Sequence, residues 1–431
     1  MKTLVSLAMT CLLGVAAGAA SGCGGDSDPP AAPDAAVDAT PAPPDAVAPS
    51  CPECTWQQSD RLVGADVRRA DRFGDGVAVD GNVLVVAAKN HDLSDLDEGA
   101  AFVFERTSAG WDEVAKLIAP TPSRDDEFGR SVALSGTTIA VGAWQDDEAG
   151  AEAGAVYVFD RGDGAWDQVT KLVADDAAPG ALFGNAVALA GDTLAVGAFH
   201  DSAELGAVYV FERANGQWSQ SAKLVPAGVS GESHIGETVA MRADTLVVGA
   251  PLVDGGGAVY VFERAGAGWS PAGPLTRPSE LAAADLFGVD VSVGQVGIAV
   301  GVQRVEVVPG VAYVFEPSGA GWGAGQALTW PDAVHEDRFG ESVVAGDDFV
   351  AAGAHRSDQG SQSNAGGAHV FERSGSWVLS ESFSANRPVA NEAFGFDMAS
   401  SGDTLVVGAV LDVAYIFDRN TALGASASLK R

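Results

Sequence analysis

Basic residues are scarce in this chain. Lys and Arg number 25 against 58 Asp and Glu, a formal charge of −33 over 431 residues. No cluster of Lys and Arg interrupts that surplus, so a polyanion would be repelled and nucleic acid is excluded as a partner. Cysteine is scarcer still, with 4 residues and none after Cys54. No stretch of about 10–12 residues carries helical periodicity, so a helical core is excluded. Also missing are the G-x-S-x-G elbow, the phosphate-binding G-x-x-x-x-G-K and the H-E-x-x-H pattern. What is present is apolar and flexible: 47% hydrophobic residues and 54 Gly, with only 19% charged. That composition packs and is not disordered, and the glycines lack the G-x-y period of collagen.

The N-terminal part reads as an address. Met1-Lys2 and an apolar run from Leu4 to Ala20, broken by Gly14 and Gly18, form a secretory signal rather than a membrane span. The run ends Ala20-Ser21-Gly22-Cys23, which resembles the lipobox of bacterial lipoproteins. That resemblance implies lipid modification of Cys23, with ordinary signal cleavage as the alternative. Residues 24–50 hold 8 Ala, 7 Pro and 5 Asp and no aromatic residue. Such a segment has nothing to bury and acts as a tether, reaching roughly 80 Å at ~3.1 Å per residue. Next comes Cys51-Pro52-Glu53-Cys54. In an oxidising compartment it reads as a small disulfide between Cys51 and Cys54. A redox pair would want a helix after the first thiol, and zinc would want two more ligands. The expected organisation is a signal over 1–22, anchor and tether over 23–54, a folded body over 55–419 and a tail over 420–431. The expected place is the bacterial outer membrane or cell surface, with periplasmic or secreted forms as alternatives.

Internal repetition decides the fold. Phe-Gly or its equivalent stands at Phe73, Phe128, Phe183, Ile235, Phe287, Phe339 and Phe394, at steps of 52 or 55 residues. Fourteen positions after each comes a small pair such as Gly142-Ala143 or Gly408-Ala409. A third block follows, as in Ala155-Val156-Tyr157-Val158-Phe159, and then a Trp opens a fourth, as at Trp111 and Trp166. Each block is a short β-branched or aromatic run bounded by turn residues, the signal of a strand. Runs such as Val77-Ala78-Val79 are apolar at every position, as a strand sandwiched between two sheets would be. Four strands in each of seven units predict an all-β, seven-bladed β-propeller of antiparallel blades. The seventh unit lacks its Trp block, yet Trp56 precedes Phe73 by 17 residues, as Trp111 precedes Phe128. The strand Trp56–Val63 is therefore expected to complete the last blade and clasp the ring.

These blocks resemble the FG-GAP repeat, the propeller unit of integrin α chains and of many exported bacterial proteins, across about residues 55–419. The resemblance implies calcium in Asp-rich D-x-D-x-D-G loops between the first two strands. Here those connections are tight turns such as Asp80-Gly81-Asn82 and Ser135-Gly136-Thr137. Calcium wants 6–8 oxygens from a longer loop. Calcium stays possible, but the family's sites do not carry over.

Positions repeated in every unit read as architecture; positions that break the pattern are the functional candidates. Pairs such as Glu105-Arg106 and Glu212-Arg213, recurring after the third strand, read as structural surface pairs. The connections from strand two to three, and from one blade to the next, share a face and are rich in acids. Candidate ligand contacts there are Asp92, Asp95, Asp97, Asp146 and Asp147, with Trp144, Phe199 and His200 as aromatic anchors. Five of the six His fall in these loops (His91, His200, His234, His335 and His355), beside acids that would suit a metal if the histidines met. Asp75, Arg130, Asn185, Glu237, Val289, Glu341 and Phe396 are expected around the channel mouth. The expected function is a membrane-tethered, surface-displayed binding or adhesion module, monomeric, touching the membrane only through its lipid. Its ligand would be a protein or a glycan, basic or bridged by a cation. The alternatives are a polysaccharide hydrolase or lyase at the channel mouth, and a purely structural envelope protein.

Overall fold

The computed structural model describes residues 56–420, apart from 95, 267, 306 and 320. Cys23, Cys51, Cys54, the tether and the tail from 421 lie outside the described residues. The body is a seven-bladed propeller. Six blades run in chain order over 73–117, 128–172, 186–224, 238–274, 286–328 and 343–383, each a four-stranded antiparallel sheet. The seventh takes three strands from 398–419 and its fourth from the N-terminal strand Trp56–Leu62, which pairs antiparallel with Val413–Arg419. The clasp lies where the sequence puts it, ending one residue before Val63. Each inner strand packs against the inner strand of the next blade, and Met398–Ser401 of the last packs on Phe73–Asp80 of the first, closing the ring.

No single core exists. The buried residues fall into seven apolar slabs, one at each junction between blades. Strand Val83–Ala88 shows why its sequence has no polar alternation. Val83 and Val85 enter the slab shared with the second blade, whereas Leu84 and Val86 enter the slab shared with the seventh. The repeated Phe lies in these slabs, as Phe128 does with its edge toward Tyr157 and Phe159.

The repeated glycines exist because neighbouring blades approach main chain to main chain. A Cβ on Gly408 would stand 2.1 Å from the carbonyl oxygen of Gly74, so the small pair of one blade receives the Phe-Gly carbonyl of the next. Gly154, before the third strand, makes a parallel bridge to Phe183 of the following blade, and a Cβ there would stand 2.0 Å from the Phe183 oxygen.

On the opposite face the acid–arginine pairs do more than decorate the surface. Each Arg reaches back to the acid of the preceding blade: Arg161 to Glu105 at 2.7 Å, Arg264 to Glu212 at 2.9 Å, Arg419 to Glu372 at 3.3 Å. Arg106 closes the circle on Asp418 at 2.7 Å. Several of these guanidinium groups also lie over the Trp of the outer strand, with Arg419 5.3 Å from the ring of Trp56. The chain of pairs breaks where Pro317 replaces the Arg of the fifth blade, and Glu263 is met by the Thr245 hydroxyl instead.

Trp56 is 4% exposed and packs edge-on against Phe349 at 4.9 Å. Trp56→Ala is expected to cost about 3–5 kcal/mol, read by urea denaturation, because the clasp strand loses its anchor. Unchanged stability would mean the clasp does not hold the ring. Gly154→Ala should cost more than Gly191→Ala. Both glycines have positive φ, but nothing lies within 4 Å of a Cβ at Gly191, so its loss should be only about 1 kcal/mol. Equal melting temperatures for the two variants would remove the close-approach account.

Candidate functional site

The loops from strand two to three and the loops between blades share one face, laced together by main-chain bonds. The amides of Glu127 and Phe128 donate to the carbonyls of Asp97 and Glu98, each at 3.1 Å. This is the acidic face, but much of its acidity points inward. Asp146 is 3% exposed and accepts bonds from the Tyr157 hydroxyl at 2.8 Å and Lys171 Nζ at 2.9 Å. The pattern recurs: the Tyr209 hydroxyl bonds the buried Asp201 at 3.3 Å, with Lys223 also reaching Asp201 at 2.7 Å, and Tyr415 bonds the buried Glu392. Where the first blade carries Phe102 in place of that Tyr, His91 takes over, buried and bonded to Asp71 at 2.6 Å. In the sixth blade His369 stands there, bonded to Ser382 Oγ at 2.8 Å, and burial pushes its imidazole down to about 3. These groups hold loops to blades. Asp126 lies in the same layer; burial first, and Asp146 second, push its carboxyl up to about 6.

The remaining acids of the candidate set are turn formers. Asp92 and Asp147 are exposed, and accept the amides of Asp97 at 3.0 Å and Glu152 at 2.6 Å. Asp97 is half-buried and accepts a bond from Asn90 Nδ2 at 2.8 Å; burial raises its carboxyl. Asp95 lies outside the described residues.

The aromatic candidates do meet. Trp144 follows the second strand of blade two, and Phe199 and His200 follow that of blade three. Trp144 is stacked with Phe199 at 6.3 Å, and Phe199 touches both His200 at 4.3 Å and His234 at 5.0 Å. Arg130 lies over the Trp144 ring at 4.5 Å. Polar bonds run beside this row. Lys89 Nζ and Trp144 Nε1 both donate to Glu127 Oε2, at 2.7 and 3.1 Å. Arg130 Nε donates to Asn185 Oδ1 at 3.0 Å, and Asn185 Nδ2 to the Glu237 carbonyl at 2.8 Å. The row thus spans the first four blades at the mouth of the channel. Across the ring, Arg338 pairs with Glu341 at 2.8 Å, and His355 packs on Phe396 at 5.5 Å. Burial, then Arg356 and Arg338, push His355 down to about 3. The sequence singles out Trp144, Phe199 and His200 and sets Arg130 and Glu237 around the channel mouth, but not beside those rings. The position two after each Phe or Ile, which varies from blade to blade where its neighbours repeat, was the signal that could have joined them.

Below the mouth, the inner strands bear two carboxylates that sequence reading missed. Asp290 accepts the Val343 amide of the next blade at 2.7 Å, and Asp397 accepts the Val77 amide at 2.8 Å. Three of the other blades have a hydroxyl at this position, and Ser131 and Ser342 donate theirs instead to the next blade's Phe-Gly carbonyl. Burial pushes both Asp carboxyls up to about 7. A raised carboxyl pKa means the folded state holds protons that the unfolded chain has released. Stability from these groups is therefore present at low pH and lost as pH rises from about 4 to 7.

A closed ring of seven blades built from one unit, with loops gathered at one mouth, defines a repeat propeller. A family model described as FG-GAP repeat matches residues 56–104, 111–159, 166–211, 218–262 and 322–371, and the chain belongs to that family. Each match begins at a Trp in or just before an outer strand and ends in the third strand of the following blade, so the sequence unit straddles a blade boundary. No curated protein matches the chain.

In the double variant Asp290→Asn with Asp397→Asn, the fall in stability between pH 5 and 8 should shrink by about 3–5 kcal/mol. Each Asn keeps an acceptor for the cross-blade amide. An identical pH slope in variant and wild type would show that these carboxyls ionise normally.

Proposed function

We propose that this chain is an exported binding module, held to a membrane by lipid on Cys23. Its propeller receives a protein or glycan at the channel mouth. The observation that carries this reading is the row Arg130–Trp144–Phe199–His200–His234, contributed by three successive blades at positions that differ from blade to blade. Repeated positions are used up by packing between blades; these are not. Half-buried aromatic rings beside donors and acceptors that are already oriented suit a ligand with both apolar faces and hydroxyl or charged groups. The exposed Asp92 and Asp147 lie farther out in the loops and supply a negative surround that favours basic partners through approach rate more than affinity.

A polysaccharide-cleaving enzyme is the second reading, favoured by Arg338, Glu341, His355 and Phe396 across the mouth. Burial raises the Glu341 carboxyl against the pull of Arg338, as a general acid would need.

Glycan and protein arrays, run with and without calcium, identify the ligand. The paired variant Trp144→Ala with Phe199→Ala should then weaken binding about 10–100-fold, or roughly 1.4–2.8 kcal/mol. Asp92→Asn with Asp147→Asn should lower the association rate and leave dissociation nearly unchanged. Binding that survives loss of both rings would move the site elsewhere. Cleavage of an array glycan that Glu341→Gln abolishes would favour the enzyme.

A further inference from the structure

The row at the mouth contains an arrangement that its role as a contact surface does not require. His200 follows the strand Thr193–Ala198 of blade three, and His234 ends the connection into blade four. They are 34 positions apart in sequence, yet their ring centres are 5.2 Å apart, both resting on Phe199. His234 Nδ1 is bonded to Glu237 Oε2 at 2.8 Å, which leaves its Nε2 as the outward nitrogen. His200 has no hydrogen bond to either ring nitrogen among the described residues. His234 also holds a left-handed backbone, with φ of 54°, a conformation that a residue other than Gly adopts at a cost.

We propose that His200 and His234 form an open two-imidazole site for a late first-row divalent ion, zinc being the working case, with Glu237 as the carboxylate that orients His234. Two physical points carry it. Two imidazoles on one tetrahedral zinc, with nitrogens at ~2.0–2.1 Å, place their ring centres roughly 5 Å apart, close to the spacing seen here. A carboxylate on the far nitrogen of a ligating imidazole fixes its tautomer and strengthens it as a ligand. Imidazole nitrogen selects zinc, copper or nickel, not calcium, which wants oxygens. Among the described residues no group of three or more His, Cys, Asp or Glu is placed to hold a metal. The protein therefore supplies two ligands, and water supplies the rest. A site so open would present exchangeable positions beside Trp144 and Phe199, where a carboxylate or hydroxyl of an arriving ligand could bind. The inference stands on its own geometry and can succeed or fail without the binding function.

The test uses the full chain with zinc chloride alone. Zinc is titrated while each histidine is labelled with diethyl pyrocarbonate and read by peptide mass spectrometry, which separates this site from metal taken up by Cys51 and Cys54. Zinc should protect His200 and His234 together, at least fivefold, and leave His335 reactive. Glu237→Gln should raise the zinc concentration needed by about 10–100-fold. His200→Gln should abolish protection of His234, and its unchanged melting temperature would show that the fold survives. Protection of neither histidine at saturating zinc, or protection of His234 that persists in His200→Gln, would overturn the site.

Discussion

Neighbouring blades approach until a carbonyl oxygen of one occupies the place where the other would carry a Cβ. At Gly408 and Gly154 that oxygen lies about 2 Å from where the extra carbon would go. Most of the architecture follows from this contact. It sets the spacing at which Val, Leu and Phe of two sheets interdigitate, so that each slab is filled from both sides. It explains why second strands such as Val83–Ala88 are buried on both faces. It also brings the loop of one blade beside the loop of the next, which builds the mouth.

The polar residues divide by the same logic. Those that recur in each unit are consumed in the fold. The Tyr157 and Tyr209 hydroxyls meet buried acids that Lys171 and Lys223 neutralise, and the arginines of the far face bridge to the acid one blade back. A surface pair of that kind contributes little alone. Set at successive junctions, and closed by Arg106 on Asp418, such pairs tie the C-terminal strand of the last blade to the first, beside the chain that runs from Leu62 to Phe73. Pro317 removes one link. The same blade has a short outer strand, Gln326–Leu328, and a two-residue hairpin beside it, so the ring tolerates one weaker junction.

Residues without a counterpart in other units gather at the mouth, among them Arg130, Trp144, Phe199, His200 and His234. A protein with a charge of −33 spends much of its acidity on its own loops and keeps cationic and aromatic groups around the channel opening. The histidine pair within that row adds a chemical possibility that a flat adhesive face would lack.

The repeat, its seven copies and the clasp were legible in the sequence, because packing between blades imposes the same residue at the same place in every unit. The Trp56 strand was legible for a related reason: a Trp block without a blade has one natural partner, a blade without a Trp block. The site was legible only in part. Trp144, Phe199 and His200 stood out as pattern breakers. That Asp146 turns inward while Asp147 stays in water depends on Tyr157 and Lys171, which only the folded loops bring within reach. That His200 meets His234, and that Asp290 and Asp397 become weak acids, depends on contacts across blade boundaries. Sequence records which residue each unit carries; the angle between blades decides which of them touch.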